Sequence, residues 1–508
     1  MEGRVNHKKI LGGRVLAVLP ALVVQGVWIY VLLTWLSAYS ALIQMGLSLL
    51  AFLFVLYIVS SREESAYKML WLLVILVLPF LGTVLYLLFG NRRTGKRLQL
   101  RLEEARKDWE RYLDQDEEVM AELAKDDLRL GQIFGYISKM SGFPPLRNKT
   151  AVYHSTGEAL FADMLEEMNK AEKFIFVEYF IVEDGSLWRS MVEVMERKVR
   201  EGLDVRVIYD DVGSISTFSG RNARELRSKG IKIVAFNPLK WLSGALNNRD
   251  HRKILVIDNR VAFSGGMNLA DEYINEIERF GYWKDVGFKI TGAAVQSYTF
   301  MFCEFWSAFS EEKIDLDIER NTQVEGEDGY ILPYYDSPAN KLPHSYNLYI
   351  EMLEAATEYI WFYTPYLMLG EQLFEVMIRT ARRGIDVRIY MPGIPDKKSV
   401  YEMSRSYYKP LLEAGVNIYE YTPGFLHAKA CIMDDVMGTV GTVNLDYRSL
   451  FLHFECNSIF YKASLLKDLK KDMQDLQKQC RQRRIEDMRS GLFKRVWDGV
   501  KRLFAPLC

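Results

Sequence analysis

Two stretches of this 508-residue chain share one spacing of reactive side chains. "HRKILVIDNRVAFSGGMN" runs from His251 to Asn268, and "HAKACIMDDVMGTVGTVN" from His427 to Asn444. In both, a lysine stands two residues after the histidine and an aspartate seven after it; a small-residue step and an asparagine close the segment. The chain holds six histidines, so two of them in one repeated pattern carry information. The apolar run after His251 predicts a strand, on which side chains two apart share a face. His251 and Lys253 therefore point one way, as do His427 and Lys429. An offset of seven puts Asp258 and Asp434 off that face, at "DN" and "DD" pairs that signal turns. They complete the motif, but parity predicts that they hold the turn while the His/Lys pairs do the chemistry.

That chemistry is phosphoryl transfer. Two lysines and the amides of Asn268 and Asn444 converging on one point would cage a phosphodiester anion, and glycines would admit it close to backbone N–H groups. Two histidines in the cage divide the work: one attacks phosphorus, while the other protonates the leaving alkoxide and then activates the incoming nucleophile. One His-x-Lys alone is weak; its repetition with equal spacing to Asp and Asn is not.

The elements that position these residues repeat as well. "AEKFIFVEYFI" (Ala171 to Ile181) is echoed by "ATEYIWFYTPYL" (Ala356 to Leu367), "REGLDVRVIYDD" (Arg200 to Asp211) by "RRGIDVRIYMPG" (Arg382 to Gly393), and "SKGIKIVAFNP" (Ser228 to Pro238) by "EAGVNIYEYTP" (Glu413 to Pro423). Order-preserving self-similarity marks a duplicated unit. Apolar strand-like runs alternate with amphipathic helices such as Ser190 to Glu201 and Glu371 to Arg383, which predicts α/β units. Packed as pseudo-twofold halves, they would build a pocket at their interface. The expected organisation is an N-terminal membrane part over 1–90, a charged helical connector over 91–149, halves over 150–325 and 326–480, and an amphipathic segment over 481–508.

Charge is balanced, 65 Lys+Arg against 66 Asp+Glu, which gives no case for nucleic acid as a partner. Five scattered cysteines make neither a disulfide framework nor a zinc pattern. Three uncharged runs, Val15 to Leu33, Ala41 to Val59 and Met69 to Phe89, each approach the length that spans hydrocarbon, so two or three N-terminal transmembrane helices are expected. Basic residues flank both ends of this region, and three full spans cannot put both ends in the cytoplasm. The C-terminal "GLFKRVWDGVKRLFAPL" alternates apolar and basic positions at helical spacing, the pattern of a helix lying in a lipid interface or packed on its own domain. "FNPLKWLSGALNN" (Phe236 to Asn248) is either a lipid-dipping or a packed loop. His154, His344 and His453 read as structural.

"HRKILVID" and "HAKACIMD" are similar to the paired HxKxxxxD motifs of the phospholipase D superfamily. "WLLVILVLPFLGTVLYLLFG", "GYWKDVGFKITG", "FLHAKA", "VGTVNLDYRSLFLHFECN" and "FKRVWDGVKRLFAPL" resemble stretches of bacterial cardiolipin synthases. The first apolar run departs from the family, many of whose members have two. The resemblance implies a duplicated phospholipase D-like α/β sandwich with one site between the halves, no metal and no cofactor. It implies a multi-pass protein of the bacterial plasma membrane, with the catalytic region at the cytoplasmic face, that joins two phosphatidylglycerol molecules into cardiolipin and releases glycerol. It implies His251 as nucleophile and His427 as general acid and base, with Lys253, Lys429, Asn268 and Asn444 on the phosphate. A downstream carboxylate orients each histidine in such enzymes; Glu455 is expected to do so in the second half and Asp285 in the first. A lipid hydrolase, or a transferase using another alcohol, would carry the same motifs. The oligomeric state is left open.

Overall fold

The apolar runs that echo one another along the chain become matching strands. In the computed structural model, residues 40–507 are described together with Val27 and Tyr30, apart from 62–63, 91–95, 111–112, 114–116, 239–246, 315–327, 341 and 489–490. The first apolar run, apart from Val27 and Tyr30, and the centre of the loop before the first motif lie outside the described residues. Two units follow one another, Met1–Arg92 and Arg93–Cys508.

The second unit contains two large sheets. One has the order Thr150–His154, Gly287–Thr291, Val261–Gly265, Lys253–Ile257, Phe174–Tyr179, Asp204–Asp210, Lys232–Phe236. The other has the order Leu146–Arg147, Tyr330–Asp336, Glu455–Tyr461, Met437–Gly441, Ala430–Met433, Tyr359–Tyr363, Asp386–Pro392, Asn417–Tyr421, Cys480–Arg483. Without its two outermost strands the second order coincides with the first, strand for strand. In each sheet three echoed strands run parallel and the motif strands pair antiparallel beside them. The parallel strands are buried nearly throughout, which is why their sequences are almost continuously apolar.

Helices cover the sheets according to their own patterning. Ser186–Arg200 and Glu371–Arg382 bury one stripe each, formed by Leu187, Met191 and Met195 in the first and Leu373, Val376 and Met377 in the second. Val295–Phe309 is apolar nearly all round and is buried accordingly, with Phe302 stacked on Phe176 of the first sheet. The charged stretch expected as a connector forms helices Lys96–Trp109, Glu117–Asp126 and Leu128–Ser141. They pack onto the body: Trp109 donates to Ser307, and Leu102, Ala105, Ile133 and Phe134 are buried.

The first unit holds helices Ser40–Ser60, Ser65–Val77 and Pro79–Phe89 around Ala51, Ile58, Tyr67, Trp71 and Ile75. The run Met69 to Phe89, expected as one segment, is two helices, because Pro79 brings no backbone N–H and starts a new helix at its first turn. Side chains of Ser40–Ser60 are described from Met45 onward. Among the described residues no helix is long and apolar enough to cross a membrane.

Candidate active site

The two motif strands bring their histidines into one buried site, and each half completes the other. Before the first motif, Asp250 bridges to Phe454; His251 N–H donates to the Phe454 carbonyl (2.8 Å), and Phe454 N–H to that of Arg249 (2.8 Å). Before the second, Gly424–Leu426 pairs in parallel with Tyr282–Lys284, and His427 N–H donates to the Lys284 carbonyl (2.8 Å). The residue after each bridging partner is a carboxylate. Glu455 therefore reaches His251 Nδ1 (2.9 Å), and Asp285 reaches His427 Nδ1 (2.7 Å). This corrects the expectation that each half supplies the carboxylate for its own histidine. The pairing follows the backbone bridges, which cross between the halves.

Strand alternation works as parity predicts. His251 and Lys253 face the site, while Asp250 and Arg252 turn into the body, where Arg252 meets Glu178 and Asp250 with all three side chains fully buried. Lys253 Nζ donates to the His251 carbonyl (2.7 Å). Lys429 Nζ lies against His427, 2.8 and 2.9 Å from the two ring nitrogens, and also donates to the His427 carbonyl.

The asparagines bond within the protein, and the aspartates sit at the turns where parity placed them. Asn268 is buried, but its amide N–H donates to the Tyr273 hydroxyl (2.6 Å) and its oxygen accepts from Ile181 N–H (3.2 Å). The Asn444 amide donates to Asp446, leaving Oδ1 without a partner. One N–H of each amide is thus engaged within the protein. Asp258 accepts from the backbone N–H groups of Glu172, Lys173 and Phe174, each at 2.8 Å. Asp434 does the same with Thr357, Glu358 and Tyr359, at 2.7 to 2.9 Å. Both stand in left-handed turns, at φ 56° and 49°, and lie about 16 Å along their strands from the lysines, at roughly 3.3 Å per residue. The glycines serve the scaffold too: a Cβ on Gly266 would sit 2.0 Å from Asp285 Oδ1.

Burial sets the charges. His251 is pushed well below its ordinary value by burial and by the nearby lysines and histidines, and burial with Lys429 lowers His427 to about 4 against the pull of Asp285. Burial lowers Lys253 to about 8 and Lys429 to about 7, the carboxylates opposing. Glu455 is raised by burial, whereas Asp285, though equally buried, is held down by His427 and Lys429. Both imidazoles are thus neutral at pH 7, and a carboxyl on each Nδ1 leaves Nε2 as the reactive nitrogen. An arriving phosphate anion would raise the lysines and histidines again.

The motifs alone do not find everything around the rings. Phe180 packs edge-on against His251 (centroids 5.0 Å), and Tyr273, Trp283 and Phe425 surround His427 (5.3, 5.5 and 5.8 Å). Thr442 donates to Glu455. His453, read as structural, lies against His251 at 5.7 Å. His251, His453 and Glu455 place potential ligand atoms within 4.8 Å of one another, the one such group among the described residues. His154 pairs with Asp163 (3.0 Å), and His344 with the Tyr335 carbonyl (3.2 Å).

Known proteins match this chain in family and in fold. The family described as "Cardiolipin synthase, PLD-like domain" matches residues 164–279 and 349–477, one stretch in each half, and a "Phospholipase_D-nuclease N-terminal" family matches 46–91. Cardiolipin synthase 2 of Bacillus anthracis is 32% identical over 468 residues, 90% of this chain and 90% of its own. The cardiolipin synthase of Halalkalibacterium halodurans is 32% identical over 480 residues, 93% of this chain and 94% of its own. An uncharacterized protein of Streptococcus mutans is 41% identical over 457 residues, 89% of this chain and 99% of its own. In fold, the chain is similar to the crystal structure of Haemophilus influenzae phosphatidylserine synthase (TM-score 0.55, 14% identity, 74% of this chain and 98% of that one).

Proposed function

We infer the activity from one premise: the chain belongs to the bacterial cardiolipin synthase family of the phospholipase D superfamily. It is a phosphatidyltransferase acting on phospholipid, and its reaction is the joining of two phosphatidylglycerol molecules into cardiolipin with release of glycerol. The observation that carries the reading is the pair of cross-half His–carboxyl contacts beside two buried lysines.

The first half-reaction makes a P–N bond between one imidazole Nε2 and the donor phosphorus and breaks the P–O bond to glycerol. The other imidazole, raised by the arriving phosphate anion so that it takes up a proton on Nε2, delivers that proton to the departing alkoxide. In the second, that imidazole takes the proton from a hydroxyl of the acceptor phosphatidylglycerol; the new P–O bond forms as the P–N bond breaks. Lys253 and Lys429 neutralise the phosphoryl oxygens, and the buried site makes that charge count. Asn268 acts through Tyr273, whose hydroxyl proton remains available to an oxygen in the site. Glu455 and Asp285 hold the tautomers and stabilise each imidazolium as it forms.

The substrate stays in the bilayer, and the surface agrees with a membrane-bound enzyme. Met45, Leu49, Phe52, Leu53, Leu56 and Tyr57 of Ser40–Ser60 are exposed, as are Trp497 and Phe504 of the helix Leu492–Phe504. Arg92, Arg93, Lys96, Arg97 and Arg101 follow the last apolar run and favour a cytoplasmic catalytic unit at the plasma membrane. The test is purified protein on vesicles of phosphatidylglycerol alone. Cardiolipin and glycerol in equal amounts are expected, and His251→Ala or His427→Ala should each remove turnover. Phosphatidic acid as the main product would mark a hydrolase instead.

A further inference from the structure

We propose that His251, His453 and Glu455 form a binding site for a zinc-class transition-metal ion, and that the bound ion stops turnover. His453 is buried beside the site, and neither of its ring nitrogens has a hydrogen-bond partner. Its Nδ1 lies 3.8 Å from Glu455 Oε1, too far for a hydrogen bond. Leaving buried polar atoms unpaired is costly, so such a group calls for a partner.

The pseudo-twofold relation sharpens the point. His453 stands two residues before Glu455, as Trp283 stands two before Asp285. Their rings flank the site histidines alike, at 5.7 Å for His453 on His251 and 5.5 Å for Trp283 on His427. An indole fills this place in one half, so packing alone does not require an imidazole in the other. What the imidazole adds is a ligand atom.

The donor set is two imidazoles and one carboxylate, with ligand atoms within 4.8 Å. It matches zinc, cobalt, nickel or copper; magnesium and calcium prefer oxygen throughout. Bonds of about 2.0–2.2 Å require His453 to close on Glu455 by a small side-chain movement and leave a fourth position for water. His251 presents Nδ1 to Glu455 (2.9 Å). A divalent ion taking Nδ1 displaces the proton there, and the neutral ring carries its one proton on Nε2 instead. That nitrogen has no lone pair left for phosphorus or for a substrate proton, which is why binding inhibits.

Binding is independent of the proposed activity; only the inhibition rests on it. Full-length protein in detergent, stripped with EDTA and desalted, is titrated with Zn2+ against a chromophoric chelator, and with Co2+ for its visible spectrum. The same samples are assayed for cardiolipin formation. One equivalent should bind, cardiolipin formation should fall at the same midpoint, and EDTA should restore it. His453→Phe and His453→Asn should each weaken binding by at least about tenfold, with the inhibition moving in step. Wild-type protein that takes up no zinc, or variants with unchanged affinity, would overturn the site. Activity lost on stripping and regained with zinc would overturn the inhibitory role. Stripped protein that makes no cardiolipin would sink the proposed activity, while the titration still reads the site.

Discussion

At the residue scale, the second lysine is the most exposed point of the account. In the proposed reaction Lys429 carries charge to the phosphate, yet burial brings it to about 7 in the free protein, while His427 sits at about 4. The ammonium is present below pH 7 and lost as pH rises through it, so kcat/KM should decline on the alkaline side from about pH 7. Lys429→Arg keeps a cation at every accessible pH and should move the alkaline limb upward, at reduced turnover because the guanidinium fork does not reproduce a point charge. A pH series of kcat/KM in mixed micelles reads this directly; an unmoved limb in the arginine variant would assign it to another group. Much of this scale was legible: the period of two puts His251 with Lys253 and His427 with Lys429. The carboxylate partners were not, because His251 and Glu455 are 204 residues apart and meet through a backbone bridge that no spacing announces. The hydrogen-bond partners of the asparagine amides, Tyr273 and Asp446, were not legible either, because tertiary structure sets them.

At the element scale, the aspartates of the motifs separate folding from chemistry. Each closes a turn by accepting three backbone N–H bonds at the start of a neighbouring strand. Asp258→Ala should lower stability by about 3 kcal/mol, the scale of losing charged hydrogen bonds, while the folded fraction keeps its turnover. Denaturation midpoints together with activity per folded molecule check this; a variant that folds normally yet is dead would return Asp258 to the chemistry. Gly266→Ala should do the opposite. Its Cβ would strike Asp285, displace the support of His427, and cost about a hundredfold in kcat, with a melting temperature close to wild type. Turnover near wild type in that variant would show that Asp285 tolerates displacement. The strands and amphipathic helices were readable from periodicity. The division of the run Met69 to Phe89 was readable only at Pro79, where the apolar pattern continues but the helix does not.

At the scale of the whole molecule, duplication explains why one site needs two distant motifs: each half lends the other a carboxyl group and the bridge that positions it. The repeated order of echoed stretches made the duplicated α/β architecture legible. The packing of the charged helices 96–141 onto the body was not, because their surface charge conceals the buried Leu102, Ile133 and Phe134. Membrane attachment belongs to this scale too. The helix Leu492–Phe504 exposes Trp497 and carries Lys501 and Arg502 in its last turn, so truncation after residue 490 should weaken binding to anionic vesicles. Vesicle co-flotation checks it, and undiminished binding would make the helix a packing element only. The central claim is that the phosphatidyl group passes through one histidine and not directly from lipid to lipid. Its most direct test is the configuration at phosphorus in cardiolipin made from phosphatidylglycerol chiral at that phosphorus. Two successive in-line displacements predict net retention; inversion would mean a single direct transfer and would contradict the account.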